Sequence, residues 1–315
     1  VDGSIGQIPQ NHFYGLEILR NNGTEQQKQK LYAEVLKGAR FGNALAEFKT
    51  KTAAQRQTAI RRTEQGYVIN GEKFYCTGSL FAHRIPTLVV DENEQQFLAF
   101  VPRDSAGLTL IDDWSGFGQR TTGSGTVKFD NVPVLEEDVV HFDTAYSRPT
   151  ISGPFAQLLH ASIETGIARA AFEETLNRVR QARPWIDSGV DKATDDPLTK
   201  FELGRVVADV RASEVLLKQA AYAVDAAKAN LTETSVAKAS LDVAKARAHS
   251  TETALKASSK LIELAGSRGS QREDGLDRFW RNVRTQTLHD PVDYKYQELG
   301  EWVLTGKVPD PSFYS

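Results

Sequence analysis

The segment Leu288-His289-Asp290-Pro291 sets an imidazole beside a carboxylate, just past the helix-like run Asp277-Arg278-Phe279-Trp280-Arg281-Asn282-Val283-Arg284. Histidine gives or takes a proton near neutral pH, so His289 is a candidate acid or base, though a lone histidine near a helix end also serves as plain structure. Thr77 ends the run Phe74-Tyr75-Cys76 just before Gly78; its hydroxyl can meet a ligand or simply finish a turn. Asn43 follows Gly42, and its amide donates and accepts at once, which suits either a polar heterocycle or a cap. Arg183, Arg268 and the series Arg278, Arg281 and Arg284 carry the planar, permanently charged fork that binds phosphate or forms solvated ion pairs. Gly266 and Gly269 flank Ser267-Arg268 and allow backbone to approach a phosphate closely. Cys76, next to Thr77, reads as a small buried hydrophobe.

Other chemistries are missing. The sequence has no P-loop, HExxH, GxSxG or CxxC motif. Gly116-Phe117-Gly118 lies in a strand-rich stretch with no helix after it, so it is not a dinucleotide fingerprint. One cysteine makes neither an internal disulfide nor a cysteine-based metal site. With 38 Lys+Arg against 41 Asp+Glu, the net charge of −3 argues against nucleic acid or an acidic membrane surface. No apolar run is long enough to span a bilayer and no secretory signal opens the chain, so a cytoplasmic home is expected. The chain starts in what reads as the middle of a domain and contains no methionine, as a fragment would.

These residues are carried by three zones. Residues 1–47 read as short helices, with Thr24 as N-cap and Gln27 three residues on opening the helix through Lys37. From Thr50 to Phe142 the period is two. Tyr67-Val68-Ile69, Asn70-Gly71 and Lys73-Phe74-Tyr75-Cys76 predict a hairpin turning at Asn-Gly, and further strands fall at 87–90, 97–101, 108–111 and 126–129. From Pro154 on the period is helical: Ile163, Ile167, Ala171 and Leu176; Leu203, Val206 and Val210; Ser235 to Leu264; and a fourth run from Asp277. Four helices with short connections predict an antiparallel bundle.

Helices, then strands, then a bundle, together with Gly42-Asn43-Ala44, Phe74-Tyr75-Cys76-Thr77-Gly78, Asp112-Asp113-Trp114, Ala182-Arg183-Pro184-Trp185, the 277–284 run and Leu288-His289-Asp290-Pro291, resemble the acyl-CoA dehydrogenase superfamily. Within it the resemblance is to the branch of reduced-flavin monooxygenases that contains dibenzothiophene monooxygenase and the sulfur-acquisition oxidoreductases. It implies an α+β multidomain fold: a truncated N-terminal helical domain (1–47), a central antiparallel β-barrel (48–147) and a C-terminal four-helix bundle (148–315), with flavin between barrel and bundle. It further implies a monooxygenase that takes reduced FMN from a separate flavin reductase and oxidises a small organosulfur compound, working as a homotetramer.

On this resemblance Thr77, Asn43 and His289 are catalytic. Thr77 and Asn43 lie against the flavin ring, where an oxygen adduct lasts only if it is hydrogen-bonded and shielded from water. Arg183, Gly266, Arg268 and Gly269 hold its phosphate. His12, Trp114, Phe155 and Gln286 line the substrate pocket. Relatives often carry a histidine at the position of Gln286, so a mechanism built on a histidine pair is in question here. The rival is an FAD-dependent acyl-CoA dehydrogenase. In dehydrogenases the segment often carries a glutamate that removes an α-proton; here Asp290, one methylene shorter, falls short of it. A catalytically silent homologue is a third reading.

Overall fold

A computed structural model describes residues 2–48 and 57–312. Three helices come first: α1 (Gly3–Gln7), α2 (Gln10–Asn22) and α3 (Glu25–Leu36). The expected cap of α3 is present as a reciprocal pair. Thr24 Oγ1 accepts from the Gln27 amide, and Gln27 Oε1 accepts from the Thr24 amide.

Seven strands follow: β1 (Ala59–Thr63), β2 (Gly66–Lys73), β3 (Arg84–Val90), β4 (Gln96–Pro102), β5 (Leu108–Ile111), β6 (Thr126–Val134) and β7 (Val139–His141). They form one sheet in the order β5-β6-β2-β1-β3-β4-β7. The sheet departs from the expected antiparallel barrel in two ways. It is mixed, because β1 meets β3 in parallel at Ala59 and Val90. It is also open among the described residues, since β5 and β7 are its two ends, and both edge strands are short. Alternate residues of the central strands, among them Ile69, Ile85, Val89, Phe97, Val101, Val127 and Phe129, build its core.

The expected hairpin at Asn70-Gly71 is not a turn. Strand β2 runs straight through it, and the chain reverses at Glu64-Gln65, between the paired residues Thr63 and Gly66. Gly71 instead sits where the β2–β6 register shifts. Its φ of 148° and the 2.7 Å that would separate a Cβ from Thr58 Cα both require glycine. Asn70 exchanges hydrogen bonds with Asn131, which itself has φ 50°.

The rest is helical: α4 (Ser152–Gln181), α5 (Pro197–Ala229), α6 (Glu233–Leu264), α7 (Asp277–Gln286) and α8 (Asp293–Thr305). Asp196 caps α5 with Pro197 in its first turn, and Thr232 and Ser235 form a capping box on α6. The core packs Ile167, Ala168 and Ala171 with Val206, Val210, Ala254, Ala257, Leu261, Phe279 and Val283. The expected fourth helix is two: α7 stops at Gln286, residues 287–290 turn, and Pro291 precedes the restart at Asp293. That break holds His289 and Asp290. No helix among the described residues is long and apolar enough to cross a membrane.

The chain forms two compact units. The helical unit comprises Val1–Gly6, Gly116–Gln119 and Gly153–Ser315; the sheet unit comprises Gln7–Ser115 and Arg120–Ser152.

Candidate active site

In the sheet unit, a run of contacts links four of the expected site residues. Gly42-Asn43-Ala44 lies alongside β3, with the Gly42 amide donating to Arg84 O and the Ala44 amide to Pro86 O. It also packs on the turn after Thr77. Ser79 Oγ donates to Asn43 O (2.7 Å) and accepts from Asn43 N (3.1 Å). A Cβ on Gly42 would lie 2.7 Å from Ser79 Cα, so only glycine permits this approach. One residue earlier, the Phe41 amide donates to His12 Nδ1 (3.1 Å). Burial, aided by Arg40, lowers the pKa of His12. Its ring is thus a neutral acceptor that fixes the Asn43 segment. At the other end Trp114 meets Tyr75 edge-on at 5.8 Å.

Thr77 is buried. Its hydroxyl is 2.8 Å from Ser124 Oγ, which is 2.6 Å from Thr122 Oγ1. Ser124 and Thr122 were not foreseen from the sequence; no motif marks them, and only the fold of the turn brings them to Thr77. Tyr75 at φ 53° and Gly78 at φ 77° make that turn. Cys76 beside it is buried and its thiol is pushed up by burial, in keeping with a packing role.

In the helical unit the surprise is His160, on α4. Its ring centroid is 4.1 Å from that of His289. Position 286 supplies no imidazole, but a second ring does lie beside His289, carried by another helix. Gln286 supports it: Gln119 Nε2 donates to Gln286 Oε1 (3.1 Å), and Gln286 Nε2 donates to His160 Nδ1 (2.7 Å). Gln119, at φ 52°, comes from the loop that begins Gly116-Phe117-Gly118. The loop docks on α7 through Gln119 N to Asn282 Oδ1 (2.8 Å) and Arg281 Nη1 to Phe117 O (2.7 Å). A Cβ on Gly118 would fall 1.9 Å from Arg281 O, so this glycine serves docking.

His289 Nδ1 donates to Asp290 Oδ1 (2.9 Å), leaving Nε2 as its chemically available nitrogen. Asp290 also faces Arg247 Nη2 at 3.5 Å. Burial alone would raise the Asp290 carboxyl, but His289 and Arg247 hold it well below the usual carboxylate range. Arg247 is fully buried, paired with Glu164 and bonded to Thr251 and Gln157. Ser250 and Thr251 complete the coordination of Glu164. None of this network was legible as a motif.

Arg183 and Arg268 are exposed, and neither has an ion pair among the described residues. Arg268 sits in the turn Gly266–Ser270, where Gly266 has φ 69° and a Cβ on Gly269 would lie 2.8 Å from Ile262 O. Arg281 is engaged with Asp277, and Arg278 lies over the Phe279 ring. Phe155 is half-buried on α4. No cluster of three or more His, Cys, Asp or Glu among the described residues is arranged to hold a metal ion.

These residues fit a flavin. A flavin edge mixes a ring N–H with acceptors; Asn43 Oδ1 is a buried acceptor with no partner among the described residues, and the Thr77 hydroxyl donates or accepts. In the helical unit, Arg183 and Arg268 are exposed cations of the type that binds phosphate.

The His160 environment makes a pH prediction. Burial first, then His289 and Arg247, push His160 well below its ordinary value of 6.5. The folded protein keeps it neutral, while the unfolded chain takes up a proton below about 6.5. This residue's share of stability is thus full above that pH and lost as pH falls below it. Urea midpoints compared at neutral and mildly acidic pH should fall less in His160→Gln than in the unsubstituted protein; equal falls would contradict the assignment. Asp290 acts with the same sign lower down, its contribution intact above about 3.9 and lost as pH drops further.

Residues 158–294 match the family Acyl-CoA dehydrogenase, C-terminal domain. Dibenzothiophene monooxygenase of Rhodococcus qingshengii is 33% identical over 335 residues, covering 100% of this chain and 79% of its own. A probable FMNH2-dependent monooxygenase, SfnC, of Pseudomonas putida is 32% identical, covering 100% of this chain and 80% of its own. Among solved structures, FMN-bound TdsC from Paenibacillus sp. A11-2 superposes with a TM-score of 0.94 at 32% identity, covering 100% of this chain and 83% of that one.

Proposed function

The chain belongs to the acyl-CoA dehydrogenase superfamily, in the branch that contains dibenzothiophene monooxygenase, and from that premise we propose that it is a reduced-FMN-dependent monooxygenase that oxidises a small organosulfur compound in sulfur acquisition. When bound, reduced FMN supplies the two electrons with which dioxygen delivers one atom to substrate and one to water. The FMNH2-dependence in the name of the Pseudomonas relative supports this cofactor and a separate reductase to supply it.

The observation that carries the reading is the engagement of Asp290. A dehydrogenase needs a free carboxylate to remove an α-proton, and Asp290 is tied to Arg247 and His289. The available group in the segment is the His289 imidazole, a third exposed, whose Nε2 is left to give or take a proton.

The roles are these. Asn43 and Thr77 hydrogen-bond the flavin ring, and Ser124 and Thr122 orient the Thr77 hydroxyl. Arg183 and Arg268 bind the phosphate, with Gly266 and Gly269 shaping the turn. His289 manages protons. Trp114 offers apolar surface to substrate in the sheet unit and Phe155 does so in the helical unit; His12 fixes the Asn43 segment, and Gln286 acts through His160. Barrel-like curvature of the sheet and a bundle of the helical unit complete the fold, and the protein works in the cytoplasm as a homotetramer. Exposed Phe201, Ala208, Val215 and Tyr222, one stripe of α5 at seven-residue spacing, support assembly through that helix.

The test is direct. The purified protein is supplied with FMN, a flavin reductase, NADH and a panel of alkyl and aryl sulfides, sulfones and sulfinates. Oxygenated product that depends on FMN is expected. Tightly bound yellow FAD that an acyl-CoA bleaches would overturn the reading in favour of a dehydrogenase.

A further inference from the structure

His160 is 1% exposed, and its Nε2 has no hydrogen-bond partner among the described residues. The direction of the bonds around it defines what that atom is. Gln119 donates to the Gln286 carbonyl, so the Gln286 amide nitrogen is what faces His160 Nδ1. With the two amides so oriented Nδ1 accepts, which puts the proton of the neutral ring on Nε2. A buried N–H left without an acceptor is costly, and folds rarely keep one without a use.

We propose that His160 is a fixed hydrogen-bond donor to a small oxygen acceptor held beside His289: a water in the resting protein, and an oxygen of the reacting system during turnover. The turnover half rests on the monooxygenase reading above. The two rings then divide the work. His289, a third exposed and tied to Asp290, exchanges protons with its surroundings. His160 cannot, because it is enclosed and faces His289 and the Arg247–Glu164–Asp290 charges; it can only donate. A donor whose charge does not change, placed next to one whose charge does, suits an oxygen that gains negative charge and then a proton. Because it touches the reacting oxygen, His160 is a catalytic residue under this proposal: it holds the acceptor while His289 moves the proton.

Histidine-selective 15N NMR on the flavin-free protein is the first arm. The expected result is a His160 proton on Nε2 from pH 6 to 8, close to a slowly exchanging water; a proton on Nδ1, or a charged ring at neutral pH, would overturn the proposal whatever the variants do. The second arm compares His160→Phe and His160→Gln with the unsubstituted enzyme, reading product formed per dioxygen consumed and the peroxide released. His160→Phe should lower kcat for oxygenation by about 10²–10³-fold and divert dioxygen to hydrogen peroxide, with substrate KM nearly constant. His160→Gln, whose amide nitrogen can occupy the Nε2 position, should recover at least about tenfold of that loss. A shift of the Nε2–H resonance when the oxygenated product is added supports the turnover role. Unchanged coupling in His160→Phe with no such shift overturns it and leaves a structural water only. If the unsubstituted enzyme itself forms no product, the monooxygenase reading fails, while the NMR arm still decides whether His160 is a donor.

Discussion

Replacing His289 with alanine is expected to lower organosulfur oxygenation by about 10²–10⁴-fold, the range for loss of a positioned acid or base, while reduced-FMN affinity changes by less than about threefold. The expectation follows from where the ring sits. The break between α7 and α8 presents His289 outside the helix, Asp290 fixes its Nδ1 proton, and its side chain remains a third accessible. Only Nε2 is left for chemistry, so alanine removes the proton carrier and little else. Steady-state kinetics paired with an anaerobic flavin titration separate the two effects. Equal loss of activity and of flavin affinity would move His289 from proton transfer to cofactor binding. Asp290→Asn tests the same geometry more gently, since an amide in place of the carboxylate weakens its hold on the imidazole proton.

The largest stability effect is expected at Arg247. Its guanidinium is 1% exposed, and Glu164 is wholly enclosed. Arg247→Met would leave the Glu164 carboxylate buried with only Ser250 and Thr251 to bond it, and Asp290 short of its cation. Removing one partner of such a pair costs about 3–5 kcal/mol. Adding Glu164→Leu should restore much of the loss, because an apolar pair of similar volume carries no uncompensated charge. Denaturant unfolding followed by the helical signal reads both variants. A loss under about 1 kcal/mol in Arg247→Met would mean that solvent reaches the pair and that the network does not brace the histidines.

The sequence was most legible where local chemistry has one solution. Thr24 followed by Gln27 can cap a helix, and does. The apolar runs at 87–90 and 97–101 read as strands, and they fall within β3 and β4, which are buried along nearly their whole length. It was ambiguous where two structures need the same residues. A type I′ turn and a β-bulge both want a positive-φ glycine, and Asn70-Gly71 serves the second. Strand spacing did not reveal whether the sheet closes, since closure depends on pairing between edges far apart in the chain. The run from Asp277 reads as one helix start, and its spacing does not show that α7 stops at Gln286 and a second helix begins at Asp293.

The candidate site divides in the same way. His289, Thr77 and Asn43 lie in segments whose residue order carried the family resemblance. His160 does not: it sits in the unremarkable run Leu158-Leu159-His160-Ala161, 126 positions from the Gln286 it bonds. Gln286 stands where relatives often carry a histidine, and its amide bonds the ring of another. No motif singles out Arg247, and only packing shows it buried against Glu164.

Mass spectrometry of the organosulfur product formed under isotopically heavy dioxygen, with reduced FMN as sole electron donor, probes the central claim most directly. Each turnover should place one heavy oxygen atom in the product and leave the sulfur compound otherwise intact. Product carrying oxygen from water, or substrate returned unchanged while the flavin is oxidised, would contradict it.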